Sequence, residues 1–289
     1  MSTRVEEQLR AEIVEAGRRL YARGFVASND GNISARLDES RLITTPKSVS
    51  KGFMTPDMMV IVDHEGKKVS GDRDPSSELP MHLEIYRNRP DVHAVVHAHP
   101  PLATGFAVAG IPLTRAVLAE VVTTLGSIPI AEYATPSTEE LPAAVRKYVK
   151  AHDGLLLANH GALALAGDVM AAYYRMETIE HFAKISLVAR TLGRENLLSR
   201  GEVDRLQGLR GMYGIASPAP ICTDDSTADN AGQLECQVVQ APDSLERLVT
   251  RTISAESARD AQSGESPPQI RLTYRELSAL IEDALRALK

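Results

Sequence analysis

The chain has 289 residues, 43% hydrophobic and 24% charged, with a net charge of −6. That length fits one sizeable domain with an extension, or two domains, in an ordinary globular composition. The acidic balance with no basic stripe argues against a nucleic-acid partner, and no run of about 18 apolar residues exists to span a membrane.

The first twenty residues interleave acids and bases and read as an amphipathic helix, not a signal peptide. Val5, Leu9, Ile13, Ala16 and Leu20 recur at helical spacing, which predicts a helix over 4–23 closed by Gly24. Short strands are expected at Ile33–Leu37, Leu42–Thr44 and Met59–Val62, punctuated by Gly, Asp and Pro. A helix follows over about 78–87, with Pro80 in its first turn, where the missing N–H is harmless. The strand "AVVHAHP" comes next, then helices near 101–107 and 118–124 and a strand at 128–131. Ser137 and Glu140 form a capping-box pattern ahead of another helix. A single buried strand, "GLLLANHGALALAG", leads into a long helix over 168–193 and a last one over 199–213. This order predicts an α/β (α+β) domain over residues 1–216.

The composition then changes. Residues 217–270 are rich in Ser, Asp, Ala and Pro, as in flexible linkers. Cys222 and Cys236 lie there and need not pair, which fits a reducing cytoplasm. Within that stretch Leu245, Leu248 and Val249 give a weak helical pattern. Residues 271–289 give a strong one: Thr273 and Glu276 make a capping box, and Tyr274, Leu277, Ile281, Leu285 and Leu288 form one apolar stripe.

Residues two apart in a strand share a face, so His97 and His99 project side by side, about 7 Å apart at the backbone. A third histidine, His160, stands in "ANHGA", where Gly161 allows a sharp turn. Two readings follow. The histidines are satisfied core or surface groups, or they converge on one divalent metal, for which three imidazoles and a carboxylate suit zinc. His82, His93, His152 and His181 read as non-ligands.

Glu78 is the candidate carboxylate. With Ser76 and Ser77 it begins a helix, where free N–H groups and the helix dipole favour an anion. Ordinary N-capping by Ser77 accounts for the same residues. Upstream, Asn29, Gly31 and Asn32 offer amide donors on a tight turn, and Lys47 and Ser48 supply a charge and a hydroxyl on a proline-shaped loop.

Taken together, "GNIS", "ITTP", "PSSE", "VVHAHP" and "ANHGALALAGD" resemble the class II aldolase/adducin family over about residues 5–215. The likeness is nearest to L-fuculose-phosphate aldolases. The resemblance implies a mixed, mostly antiparallel sheet flanked by helices, and a homotetramer with active sites between subunits. It implies zinc on His97, His99, His160 and Glu78, with Glu78 also moving protons. It places the sugar phosphate among Asn29, Asn32, Ser48, Ser76 and Ser77, with Lys47 beside them.

The implied reaction is cleavage of a ketose 1-phosphate, such as L-fuculose or L-rhamnulose 1-phosphate, to dihydroxyacetone phosphate and lactaldehyde. L-ribulose-5-phosphate 4-epimerases resemble this family but carry Asp in the slot of Glu78, and methylthioribulose-phosphate dehydratases can carry Glu. A non-catalytic adducin-like module is a further alternative, though such modules lose ligands that are all present here. The family's phosphate loop reads Pro-Ser/Thr-Gly where this chain has Pro46-Lys47-Ser48. No tyrosine in "LTRAVLAEVVTTLG" matches the aldolases' neighbouring-subunit tyrosine, which leaves Arg115, Glu120 and Tyr213 as candidates. The terminal stripe resembles peptides that direct enzymes into bacterial microcompartments, which implies a shell or cargo partner. Folding back onto its own tetramer is the other reading of that stripe.

Overall fold

The computed structural model describes residues 2–215 and Ile221. Apart from Ile221, the linker, with both cysteines and the terminal helix expected from the sequence, lies outside the described residues.

Helix α1 (Ser2–Ala22) ends where Gly24 takes a left-handed φ of 69°. Strands β1 (Asn32–Arg36), β2 (Arg41–Thr44), β3 (Val60–Asp63) and β4 (Lys68–Ser70) follow, then α2 (Leu79–Asn88) and β5 (Ala94–Ala98). The next elements are α3 (Pro101–Val108), α4 (Ala119–Thr124), β6 (Ile130–Ala131) and α5 (Glu140–Arg146). Strands β7 (Gly154–Leu157) and β8 (Gly161–Ala166) precede α6 (Val169–Thr191) and α7 (Arg200–Leu209).

The strands form one sheet in the order β4-β3-β2-β1-β5-β8-β7-β6. Every pairing is antiparallel except β6 with β7. The mixed, mostly antiparallel sheet expected from the motifs is therefore present.

Alternation along the central strands sorts side chains to two cores. Ala94, Val96 and Ala98 of β5, with Ala162, Ala164 and Ala166 of β8, pack with residues of α1, α3 and α6. These alanines let the long helices approach the sheet closely. Val95, Leu163 and Leu165 face the other way, into a core shared with α2 and α5. His97 has the parity of Val95, so it faces the α2 side, where Glu78 begins that helix. Asn32 lies directly across from His97 in the β1–β5 register.

Several local expectations are corrected. The predicted strand over 154–167 is two strands, because Ala158, Asn159 and His160 form a turn in which Asn159 takes a φ of 56°. Asparagine tolerates that conformation through local side-chain hydrogen bonding. The capping box at Ser137 does not form. Ser137 is left-handed at φ 63°, and the Glu140 carboxylate instead accepts from the Thr135 N–H at 3.0 Å. A capping box does form at Ser199 and Glu202, opening α7, which gives way to a 3-10 turn at Arg210–Tyr213. Strand β4 was not anticipated. Its three residues are exposed and show no apolar alternation.

Candidate metal centre and substrate cavity

A cavity of about 250 Å3 opens at the end of β5 and β8. Asn29, Asn32, Lys47, Ser48, Ser76, Ser77, Glu78, His99 and His160 all line it. His97, the remaining residue singled out from sequence, is fully buried behind them. Residues 46 residues apart in sequence, Asn32 and Glu78, meet here: the Asn32 amide donates to Glu78 Oε2 at 2.8 Å.

A hydrogen bond fixes the His97 tautomer, and a carboxylate contact orients His99. His97 Nδ1 lies 2.9 Å from the Ala162 carbonyl, which can only accept, so the proton of neutral His97 is on Nδ1. His99 Nδ1 lies 3.4 Å from the Asp30 carboxylate and is oriented in the same sense. Both Nε2 lone pairs then point inward, 3.1 Å from each other. Facing lone pairs repel unless a proton or a metal cation sits between them. His160 Nε2 lies 3.2 Å from Glu78 Oε1, and His97 Nε2 lies 3.3 Å from Glu78 Oε2. Ligands about 2.0–2.1 Å from a tetrahedral ion stand about 3.3–3.4 Å apart, close to these spacings. Nitrogen atoms of His97, His99 and His160 all fall within 4.8 Å of one another. The donor set fits a divalent cation, with Asp30 and the Ala162 carbonyl as the outer groups that orient the imidazoles.

The electrostatics agree. Burial drives His97 down to about 3, against the pull of Glu78. Burial, then the neighbouring His160, lowers His99. Burial pushes the Glu78 carboxyl up, but His97 and the hydrogen bonds from His160 and Asn32 outweigh it and hold it well below the carboxylate range. Neutral His97 and His99 beside the ionised Glu78 carboxylate are in the protonation states a metal requires.

Gly161 acts differently from its expected part in a turn. Its φ is not left-handed. A Cβ there would stand 2.6 Å from the Ala98 carbonyl oxygen and 2.6 Å from His99 Cδ2, so the position is glycine because two strands and two imidazoles crowd it.

The serines are also placed more finely than sequence allows. Glu78, not Ser77, occupies the cap position of α2, and Ser76 Oγ accepts from the Glu78 N–H at 3.3 Å. Ser48 stands where the resembling loop has glycine and itself holds a φ of 60°. That conformation costs a non-glycine residue about 1–2 kcal/mol. Its hydroxyl gains a place in the cavity wall.

Lys51, Asp30 and the Pro136–Ser137 pair line the cavity without having been anticipated. Both Lys47 and Lys51 therefore bring positive charge to the site, Lys47 exposed and Lys51 only 2% exposed. Arg115 pairs with Glu195 at 2.7 Å and Glu120 is exposed; neither lines the cavity. Tyr213 is exposed and also outside it.

Residues 11–187 match the family model described as Class II Aldolase and Adducin N-terminal domain. A 5-deoxy-D-ribulose 1-phosphate aldolase of Bacillus thuringiensis serovar kurstaki is 34% identical over 71% of this chain and 96% of its own. A 3-oxo-tetronate 4-phosphate decarboxylase of Pectobacterium atrosepticum is 32% identical over 63% of this chain and 85% of its own. Among solved structures, an L-fuculose 1-phosphate aldolase superposes with a TM-score of 0.66 at 31% identity, covering 70% of this chain and 95% of that one.

Proposed function

The chain belongs to the class II aldolase and adducin family, and from that premise we propose that it is a metal-dependent carbon–carbon lyase releasing dihydroxyacetone phosphate from a ketose 1-phosphate. The observation that carries this reading is the convergence of three imidazoles and the Glu78 carboxylate at one wall of a polar cavity.

His97, His99, His160 and Glu78 would hold the cation, with zinc favoured by the nitrogen-rich set. When bound, it supplies the Lewis acid that stabilises negative charge on the substrate's carbonyl and adjacent hydroxyl oxygens. In the cleavage direction the C4 hydroxyl loses its proton, the C3–C4 bond breaks, and its electron pair passes into the enediolate of dihydroxyacetone phosphate. The aldehyde leaves, and a proton returns to C3. Glu78, ionised at neutral pH and tied to Asn32, is the group positioned to move that proton. Asn29, Asn32, Ser48, Ser76 and Ser77 form the polar lining that receives the phosphate and sets the register of the bond that breaks.

A second reading is favoured by the relatives named as decarboxylases. Loss of carbon dioxide from 3-oxo-tetronate 4-phosphate leaves the same enediolate. One electrophilic site therefore serves both reactions, and only the departing group differs. Aldol cleavage is the primary reading because it employs Glu78 as the base for the C4 hydroxyl, whereas decarboxylation needs no such base.

The test is to give metal-loaded protein a panel of ketose 1-phosphates and 3-oxo-tetronate 4-phosphate. Aldehyde and carbon dioxide are then measured beside dihydroxyacetone phosphate. Aldehyde in equimolar amount supports the aldolase reading, and carbon dioxide transfers the assignment to the second. Absence of dihydroxyacetone phosphate from every substrate rejects both. Homotetramer assembly belongs to the same reading and is checked by light scattering.

A further inference from the structure

Lys51 is an unusual lysine. Its residue is 2% exposed, yet it lines the cavity with Asn29, Ser48, Ser76 and Ser77. Two of its three N–H donors go to backbone carbonyls, Asn29 O at 2.9 Å and Val49 O at 2.6 Å. One donor is left for the space the lysine lines. The turn that carries it is clamped on α1. A Cβ on Gly17 would meet the Lys51 carbonyl oxygen at 2.7 Å, and one on Gly52 would meet the Tyr21 ring at 2.4 Å. The ammonium is therefore held in place before any ligand arrives.

Burying a charge is costly unless something compensates it. Two carbonyl dipoles do so in part, and the carboxylates of Asp30 and Glu78 act on it from farther away. Those carboxylates also repel an incoming anion, and the other cavity-lining lysine, Lys47, is exposed to solvent.

We infer that Lys51 is the specificity residue for the doubly charged end of the substrate, donating its third N–H to a dianion held by Asn29, Ser48, Ser76 and Ser77. The assignment rests on the phosphorylated substrate class proposed above, and it places the discriminating charge on a preset side chain. Burial lowers this amine to about 8, so it is charged at neutral pH but within reach of neutralisation in mild alkali.

The experiment measures binding, so it stands apart from whether the cleavage reaction is correctly assigned. Inorganic phosphate at neutral pH, and sulfate from pH 6.5 to 9.5, are titrated calorimetrically into metal-loaded wild type, Lys51→Met and Lys51→Arg. Phosphate affinity is expected to fall about 10- to 100-fold in Lys51→Met, the loss of one charge-assisted hydrogen bond. Lys51→Arg should recover part of it. Sulfate stays a dianion throughout, and Glu78, held well below the carboxylate range, is already ionised at neutral pH. Sulfate binding to wild type should therefore weaken above pH 8, while binding to Lys51→Arg stays level. A purely structural pin between Asn29 and Val49 would not produce that difference. Equal affinities within twofold, in variants whose Tm and metal content match wild type, would overturn the inference. So would a wild-type sulfate profile that stays flat to pH 9.5. If Lys51→Met does not fold, the wild-type and Lys51→Arg profiles decide alone.

Discussion

Replacing Gly161 by alanine tests whether the imidazole pair is set by the crossing of β5 and β8. The added carbon would lie 2.6 Å from both the Ala98 carbonyl oxygen and His99 Cδ2, and 3.2 Å from His97 Cε1. Ordinary carbon contacts begin near 3.4 Å, so the overlap is about 0.8 Å against backbone on one side and a candidate ligand on the other. Backbone paired in the sheet yields least, so the strain passes to the rings. Overpacking of this kind costs about 1–3 kcal/mol, and Tm falls about 2–4 °C per kcal/mol in a domain of this size. Tilting His99 also disturbs its alignment with Asp30, and metal affinity should drop about 10- to 100-fold. Calorimetry gives the first quantity and competition with a chromogenic chelator the second. Gly105→Ala is the control, since that glycine lies in α3 with nothing within 4 Å of a Cβ. It should gain about 0.5–1 kcal/mol. Wild-type metal affinity and Tm in Gly161→Ala would refute the reasoning.

Three further outcomes follow from the same geometry. Glu78→Gln keeps the fold and retains metal but lowers kcat by about 10²- to 10⁴-fold, read by dihydroxyacetone phosphate release; a fully active variant counts against Glu78 as the proton carrier. His82, buried against Ser34 at 2.6 Å, is pushed down by burial to about 4 from 6.5. Because its folded-state value is depressed, its contribution is fully present above pH 6.5 and is lost as pH falls through 4, about 3 kcal/mol in all. Denaturant titrations should show His82→Gln with a flatter pH dependence over that window, by about one proton; an unchanged slope rejects this. Arg89 pairs with the fully buried Asp153 at 2.7 Å, and Arg175 reaches the other oxygen at 2.9 Å. Arg89→Met should cost about 3 kcal/mol in urea unfolding, because a buried carboxylate loses one of the arginines paired with it. A change under 1 kcal/mol would show that Arg175 suffices.

The parts of this site legible in the sequence are those governed by local periodicity. Strand parity alone puts His97 and His99 on one face, and the Ser-Ser-Glu-Leu-Pro run alone opens a helix beside Glu78, although the cap falls on Glu78 and not on Ser77. What pairs with them is set by sheet register, which joins Asn32 to His97 across 65 residues of chain. No local pattern encodes that pairing. The hairpin at Asn159 is hard to read because both its strands are buried on two faces and apolar throughout, with only Asn159 and His160 to mark the break between them. Lys51 is indistinguishable from Lys47 in the sequence for a related reason. In sequence both are lysines on one loop, and only the packing of that loop on α1, Lys51 against Gly17 and Gly52 against Tyr21, decides which is buried. The capping-box pattern at Ser137 failed because the loop into α5 bends through a left-handed serine beside the cavity.

The most direct measurement is a metal titration of chelator-stripped protein, following dihydroxyacetone phosphate release from the ketose 1-phosphate that the panel identifies. Three imidazoles and one carboxylate sharing a single ion predict a linear rise that stops at one equivalent of zinc per chain. His97→Ala and His160→Ala should remain inactive at that loading. Undiminished turnover in the stripped protein, or full activity in either alanine variant, would contradict the account.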